Sequence, residues 1–219
     1  VLTTRVAHII DNNLAFPSQI LCVTFTNKAA REMSERVQKL VSQNMEKMPW
    51  MGTFHSIGAK IIRNHAEVIG LKQSFTILDK DDQLSLIKQI IKAENLDQSQ
   101  FSPKLIQSKI DHWKNKALNP NDIKSESLDN LVDEKSLSIY KIYQARLFEI
   151  NCLDFGDLLL QCINLFKVPD IHKRYSNNFK YIHVDEYQDT NAAQYKWLKL
   201  LGSHHQNVCC VGDDDQSIY

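Results

Sequence analysis

The sequence predicts an α/β fold, a parallel sheet with helices between its strands, interrupted by a block that reads as helices alone. Three observations carry this. Four short apolar runs, at 20–24, 50–54, 181–185 and 208–211, have the length and continuity of strands covered on both faces. Amphipathic helical patterns lie between them, so the strands must be joined by right-handed crossovers in a parallel sheet. From 79 to 167 strand texture disappears and only the helical period remains. The expected organisation is therefore 1–78 and 168–219 as the two parts of one sheet domain, with 79–167 inserted between them.

The elements follow in order. Leu2, Val6, Ile9 and Ile10 share one helical face with no capping residue ahead of them, so this helix reads as lacking its beginning. The run ILCVT at 20–24 passes directly into Phe25, Thr26, Asn27 and Lys28, and a helix starts near Asn27 with Ala30, Met33, Val37 and Leu40 as its stripe. The second strand is followed by His55, Ser56 and a helix striped by Ile57, Ile61, Ile62, Val68 and Ile69, which Gly70 ends. Asp79 caps a helix carrying Leu84, Ile87, Ile90 and Ile91, and Ser102 before Pro103 opens the next. Asn119 to Asp122 make a turn. A long amphipathic helix fills 131–150, and Asp154 caps another that contains Leu158, Leu159, Ile163 and Phe166. After the strand at 181–185 a helix runs over 191–201 and stops at Gly202, and the last strand enters Gly212, Asp213, Asp214, Asp215, Gln216 and Ser217.

Composition sets the class. The 219 residues are 43% hydrophobic and 24% charged, as in an ordinary globular protein, and 26 basic side chains balance 26 acidic ones. A polyanionic partner would need a local patch rather than a net charge. Five cysteines, with no C-x-x-C pair, argue against a disulfide framework and for reduced thiols in a cytoplasmic protein. No leader pattern and no apolar run of the ~20 residues a membrane span needs is present, so a soluble, unexported protein without a membrane partner is expected. The chain begins at Val1 rather than Met and stops at Tyr219 directly after a motif, so both ends are expected to be cuts.

All four strands hand over at their carboxyl ends to polar clusters, TFTNK, FHS, DEYQDT and GDDDQS. Ligands bind at that edge of an open α/β sheet, so the four clusters should share one surface. Asp185 can bind magnesium through water while Glu186 polarises a second water, a pair suited to metal-assisted phosphoryl transfer; the alternative is a solvated acidic turn. Thr24, Phe25, Thr26 and Asn27 offer hydroxyls, a helix N-terminus for a phosphate and one aromatic face; the alternative is Phe25 in the core and Asn27 as a cap. Thr53 and His55 suit a backbone phosphate, or His55 is a satisfied structural residue. Lys60 and Arg63 add charge nearby, or are a solvated helix face. The amide of Gln216 can approach a terminal phosphate and report its state; otherwise the stretch is an acidic loop. His183 reads as structural, Trp113 with Lys114 and Lys116 as packing plus surface charge, and His204, His205, Cys209 and Cys210 lack the second ligand pair a metal site needs.

Taken together, ILCVTFTNKAAREMSERV, GTFHSIGAKIIR, the CLDFGDLL around Asp154, YIHVDEYQDTNAAQY and VCCVGDDDQSIY resemble the successive motifs of superfamily 1 DNA helicases of the UvrD, Rep and PcrA type. The resemblance runs along the whole chain. It implies a RecA-like parallel sheet of the P-loop NTPase type, the first motor domain, with an all-helical inserted subdomain. It also implies ATP and Mg²⁺ as cofactors, and single-stranded DNA, single/double-strand junctions and repair or replication proteins as partners. Residue by residue, Asp185 would look to the magnesium, Glu186 would be the base for the attacking water, and Gln216 would contact the γ-phosphate. Phe25 and Tyr219 would line pockets for bases, with Asn27, Thr53 and His55 near the DNA backbone. The parent would move 3′ to 5′.

The sequence departs from that pattern in one respect above all: no G-x-x-x-x-G-K-[ST] occurs in it. The adenine-reading Gln motif, a second motor domain and its arginine finger are also missing from these residues. The 219 residues by themselves are therefore expected not to hydrolyse ATP. Two other expectations stand beside the helicase: the motor part of a helicase-nuclease subunit, and a truncated, inert DNA-binding remnant.

Overall fold

The structure, a computed structural model, describes residues 1–41, 48–124, 128, 130–213 and 215. In chain order its strands are β1 (Ile20–Thr24), β2 (Met51–Thr53), β3 (Thr76–Leu78), β4 (Cys152–Asp154), β5 (Tyr181–Val184) and β6 (Val208–Cys210). Its helices are α1 (Leu2–Asp11), α2 (Asn27–Leu40), α3 (Phe54–Asn64), α4 (Lys80–Ala93), α5 (Pro103–Asn115), α6 (Leu131–Glu149), α7 (Phe155–Leu165), α8 (Pro169–Asn178) and α9 (Ala192–Gly202). The chain packs as two compact units, Val1–Lys60 with Phe166–Tyr219, and Ile61–Leu165.

The first unit is built on a four-stranded parallel sheet in the order β2-β1-β5-β6. All five residues of β1 are buried, which is why its sequence is apolar without alternation. α1 and α2 cover one face, where Leu2, Val6, Ile9, Met33 and Val37 close over Ile20 and Cys22. An aromatic cluster also packs in this unit: Trp50 stands edge-on to Tyr175 and Phe179, with ring centroids 5.8 and 5.3 Å apart. Edge-to-face rings of this kind add attraction beyond the area they bury. The helix expected to run unbroken to Ile69 instead stops at Asn64. A 3₁₀ turn, Ala66–Ile69, follows, and Gly70 closes it at φ +80°, a conformation that suits glycine.

The second unit was expected to be helices alone, and here the structure differs. β3 and β4 form a two-stranded parallel sheet, with Thr76, Ile77 and Leu78 opposite Cys152, Leu153 and Asp154. Because β3 is tied to β4, residues 61–78 pack with the second unit. Ile87, Ile91, Ile106, Ile110, Tyr140 and Leu147 form the core between α4, α5 and α6. Asp79 caps α4 by accepting from the N–H groups of Asp81 and Asp82, as its sequence position predicts. Ser102 makes no side-chain cap to α5; Pro103 at the first position opens that helix without it. Among the described residues no helix is long and apolar enough to cross a membrane.

Lys114 is not a surface charge. It is 1% exposed, and its Nζ donates to Asp154 at 2.7 Å and lies 2.9 Å from Asp157. Tyr143 donates to Asp154 (2.9 Å) and Gln144 to Asp157 (3.0 Å). Asp154 also accepts the Asp157 N–H at 2.9 Å, so it caps α7 while ending β4. Two carboxylates thus share one buried ammonium. Burial pushes Asp154 upward, but Lys114 outweighs it and holds the carboxyl below its usual range. Burial and the charge of Asp154 push Asp157 up to about 6.

Removing the ammonium would leave two buried carboxylates facing each other. Lys114→Met is expected to destabilise the protein by about 3–5 kcal/mol at pH 8, the usual cost of an uncompensated buried charge. The loss should shrink between pH 8 and pH 5, because Asp157 takes up a proton there and the unpaired charge falls. Chemical denaturation of parent and variant across that range checks both the size and its sign.

Candidate functional site

In the first unit the strand register brings the polar clusters level. Thr24 lies opposite Thr53, Val23 opposite Val184, and Val184 opposite Cys210. The chain leaving β5 is pinned on both sides: Asp185 N–H donates to Val23 O at 3.1 Å and Val211 N–H to Val184 O at 2.9 Å. Glu186 then adopts φ +53°, ψ 44°, the left-handed region. For a residue that is neither Gly nor Asn this costs about 1–2 kcal/mol and persists only where its surroundings impose it. Here they do. Tyr187 N–H donates to Val211 O (2.9 Å), Thr190 Oγ1 donates to Tyr187 O (2.7 Å), and Asn191 and Gln194 cap each other at the start of α9.

A cleft of about 380 Å³ opens beside this turn, lined by Thr3 at the start of α1, by Glu32 and Arg36 of α2, and by Asp185, Glu186 and Val211. Its size suits a small-molecule site. Asp185 is half-buried; burial, then the neighbouring Glu186, raise its pKa, and Arg36 opposes them. Arg36 is exposed and paired at 3.7 Å with Glu32 one turn earlier. That part of Arg36 was missed in the sequence, where the only signal was an i,i+4 acidic/basic pair on the helix leaving β1. Adjacent carboxylates that repel one another fit a divalent cation. Among the described residues no three His, Cys, Asp or Glu gather as a cage. Asp185 would hold Mg²⁺ with water and phosphate oxygens completing the shell, the usual habit of that ion.

The second cluster lies along β1 and β2. Thr24 Oγ1 donates to Thr26 O (3.1 Å), and Thr26 Oγ1 accepts from Ala29 N–H (3.1 Å). Thr26 is therefore the cap of α2, and Asn27, expected as a cap, is the first helical residue and exposed. Thr53 Oγ1 accepts from Ser56 N–H at 3.1 Å and so starts α3. Next to it, His55 is half-buried and burial lowers its pKa, leaving it neutral at pH 7. Phe25 is half-buried, edge-on to Phe54 at 5.4 Å, and Phe54 is edge-on to Trp197 at 5.9 Å. Phe25 is thus neither wholly core nor free. Lys60 is spent locally: it donates to Pro49 O at 2.7 Å and lies 4.4 Å from the Trp50 ring centre. Arg63 lies over Phe75 in the other unit. His183 is buried with neither ring nitrogen hydrogen-bonded, and burial, then Arg5, push its pKa down to about 4, so it is a neutral core residue. Gln216 and Tyr219 lie outside the described residues.

The profile of the UvrD/REP helicase N-terminal domain matches residues 1–219. The chain is 48% identical over 220 residues to the ATP-dependent DNA helicase PcrA of Staphylococcus aureus, covering 100% of this chain and 30% of that protein. It is 49% identical over 223 residues to DNA helicase II of Rickettsia typhi, covering 100% of this chain and 33% of that protein. To the probable DNA helicase II homolog of Rickettsia felis it is 46% identical over 222 residues, covering 34% of that protein. The chain thus spans about a third of the length of these relatives.

A raised carboxyl pKa is a stability statement. The folded chain holds the Asp185 proton to higher pH than the unfolded chain does, so stability from this group falls as pH rises through the interval between the two values. Asp185→Asn is therefore expected to raise the melting temperature of the ligand-free protein at pH 7.5 (about neutral, where the carboxyl is charged), with the gain shrinking in acid. A lower melting temperature for the variant at neutral pH would contradict this.

Proposed function

The chain belongs to the UvrD/REP helicase N-terminal domain family, and from that premise we propose that it is part of the first motor domain of an ATP-dependent DNA helicase. The parent would translocate 3′ to 5′ on single-stranded DNA and open single/double-strand junctions in repair or replication. Residues 1–78 and 168–219 are assigned to the RecA-like motor and 79–167 to the subdomain inserted in it. The observation that carries the reading is the shared sheet edge. The same register that levels Thr24 with Thr53 sets Asp185 against Val23, so an acidic, half-buried nucleotide side and an aromatic, hydroxyl-bearing DNA side adjoin along β1 and β5.

On the nucleotide side, Glu186 accepts the proton of the water that attacks the γ-phosphorus as the bond to the ADP oxygen breaks. Asp185 would hold Mg²⁺ through water. Mg²⁺, when bound, neutralises charge on the transferring phosphoryl group. Gln216 senses the γ-phosphate and passes on its loss. The strand that precedes a phosphate loop is proposed to pair along β6, whose outer edge is open in the sheet order and whose Val208 is 40% exposed. A groove of about 440 Å³, lined by Val208, Cys210, Leu198 and Tyr195, flanks that edge.

On the DNA side, Phe25 and Tyr219 offer faces to bases while Asn27, Thr53 and the neutral His55 lie along the backbone. Base stacking on aromatic side chains tolerates any sequence, as a translocating motor needs. A cytoplasmic setting is part of the same proposal, and the free cysteines accord with it.

Two expected outcomes test the two sides. In the complete helicase, Glu186→Gln should lower ATP turnover by roughly 10²- to 10⁴-fold with ATP binding nearly intact, the usual worth of a positioned general base. Turnover close to the parental rate would remove Glu186 from that role. Phe25→Ala should weaken single-stranded DNA binding by about 1–3 kcal/mol with little loss of stability. A collapse of the melting temperature with unchanged affinity per folded molecule would return Phe25 to the core.

A further inference from the structure

Gln188 lies in the middle of DEYQDT, and neither the nucleotide side nor the DNA side of the proposed function uses it. Its amide is spent at both ends. Nε2 donates to Glu186 Oε2 at 2.7 Å, and Oε1 accepts from the backbone N–H of Asp213 at 3.1 Å. Only one orientation of the amide satisfies both partners, since a carboxylate can only accept and a backbone N–H can only donate. Gly212 is packed against the same group. A Cβ there would stand 2.6 Å from Gln188 Oε1, 3.2 Å from Gln188 N and 3.3 Å from Tyr187 N, so any side chain would displace the amide. A backbone bond, Tyr187 N–H to Val211 O at 2.9 Å, holds the two turns in this relation.

We infer that Gln188 is a positioning residue for the hydrolytic step: its amide holds the Glu186 carboxylate and ties it to the Gly212–Asp213 turn. The inference rests on the reading of Glu186 as the general base. Glu186 is exposed and its backbone is already in the left-handed region, so its side chain has little else to fix it. A donor at 2.7 Å fixes one carboxylate oxygen and leaves the other to take a proton. Because the other end of the amide sits on Asp213 N–H, a displacement of that turn moves the carboxylate with it.

The test is steady-state ATP hydrolysis by the complete helicase with saturating single-stranded DNA, comparing Gln188→Met, Gln188→Glu, Gly212→Ala, the double variant Gln188→Ala/Gly212→Ala and Glu186→Gln. Gln188→Met keeps the length of the side chain and removes both bonds. It is expected to lower kcat about 10- to 100-fold, the effect of a misplaced catalytic group, with KM for ATP within about twofold of the parent. Gln188→Glu, which keeps the length of the side chain and sets a like charge against Glu186, should lower kcat at least as far, again with KM for ATP nearly unmoved. A residue that only supported the fold would lower the melting temperature without lowering kcat per folded molecule. Gly212→Ala should cost less in the Gln188→Ala background than in the parent, because the atom it strikes is gone. That comparison decides the matter if Gln188→Met melts early. Unchanged kcat per folded molecule in both Gln188 variants, with Glu186→Gln inactive, would overturn the positioning role and leave the base reading intact. Parental turnover by Glu186→Gln would overturn the base reading and this inference with it.

Discussion

The first unit depends on the placement of β1. It lies between β2 and β5 with every residue buried, and its two parallel ladders fix where all three strands end. A strand covered on both faces carries polar side chains at little cost only where it leaves the sheet, and His183 inside β5 is the buried exception. Thr24, Thr53, Asp185 and Val211 therefore mark a single level, and the polar residues that follow each of them emerge along one edge. A slip of one residue in either ladder would exchange the two faces of the strand and misalign the edge at once. The candidate residues are thus placed at or just beyond the ends of strands that hydrophobic coverage holds in register.

At that edge the structure accepts local costs. Asp185 is half-buried beside another carboxylate, and the next residue is a glutamate in a backbone conformation that favours glycine. Neither feature stabilises the chain. Both are imposed by hydrogen bonds from β1, from the turn after β6 and from Gln188. Backbone strain at Glu186 and a raised Asp185 carboxyl pKa beside one cleft are features that a site for a cationic ligand would show. The buried Lys114 cluster of the second unit makes an instructive contrast. It too gathers carboxylates, but it is buried and closed around its own ammonium, so its role is to hold α5, α6, β4 and α7 together.

How far the sequence was legible follows from the length of each pattern. β1 is a continuous apolar run and α6 a long helix-forming stretch, and the strand ends at 24, 54 and 185 were readable from the handover to polar residues to within one residue. β3 and β4 were not, because three residues each give one interior side chain, Ile77 or Leu153, and no alternation. α8 was missed because its buried face shows only Ile171, Tyr175 and Ser176. Lys114 was read as surface because lysine almost always is. The available signal was its place four residues after Ile110, itself four after Ile106, on the buried face of α5. Thr26 and Asn27 are both good capping types, and only the backbone could choose between them. The bonds of Gln188 could not be read at all, since one of them joins residues with a sequence separation of 25.

The central claim is that nucleotide and DNA meet the carboxyl edge of this sheet, on adjoining sides. Amide hydrogen exchange on the complete helicase tests it directly, read peptide by peptide with and without a non-hydrolysable ATP analogue with magnesium, and with and without single-stranded DNA. The account predicts that the nucleotide slows exchange around 185–190 and 211–213, and that DNA slows it around 25–29 and 53–56. The amino ends of the same strands, around 18–20, 180–181 and 206–208, should be unchanged by either. Protection confined to those amino ends, or to residues 79–167, would contradict it.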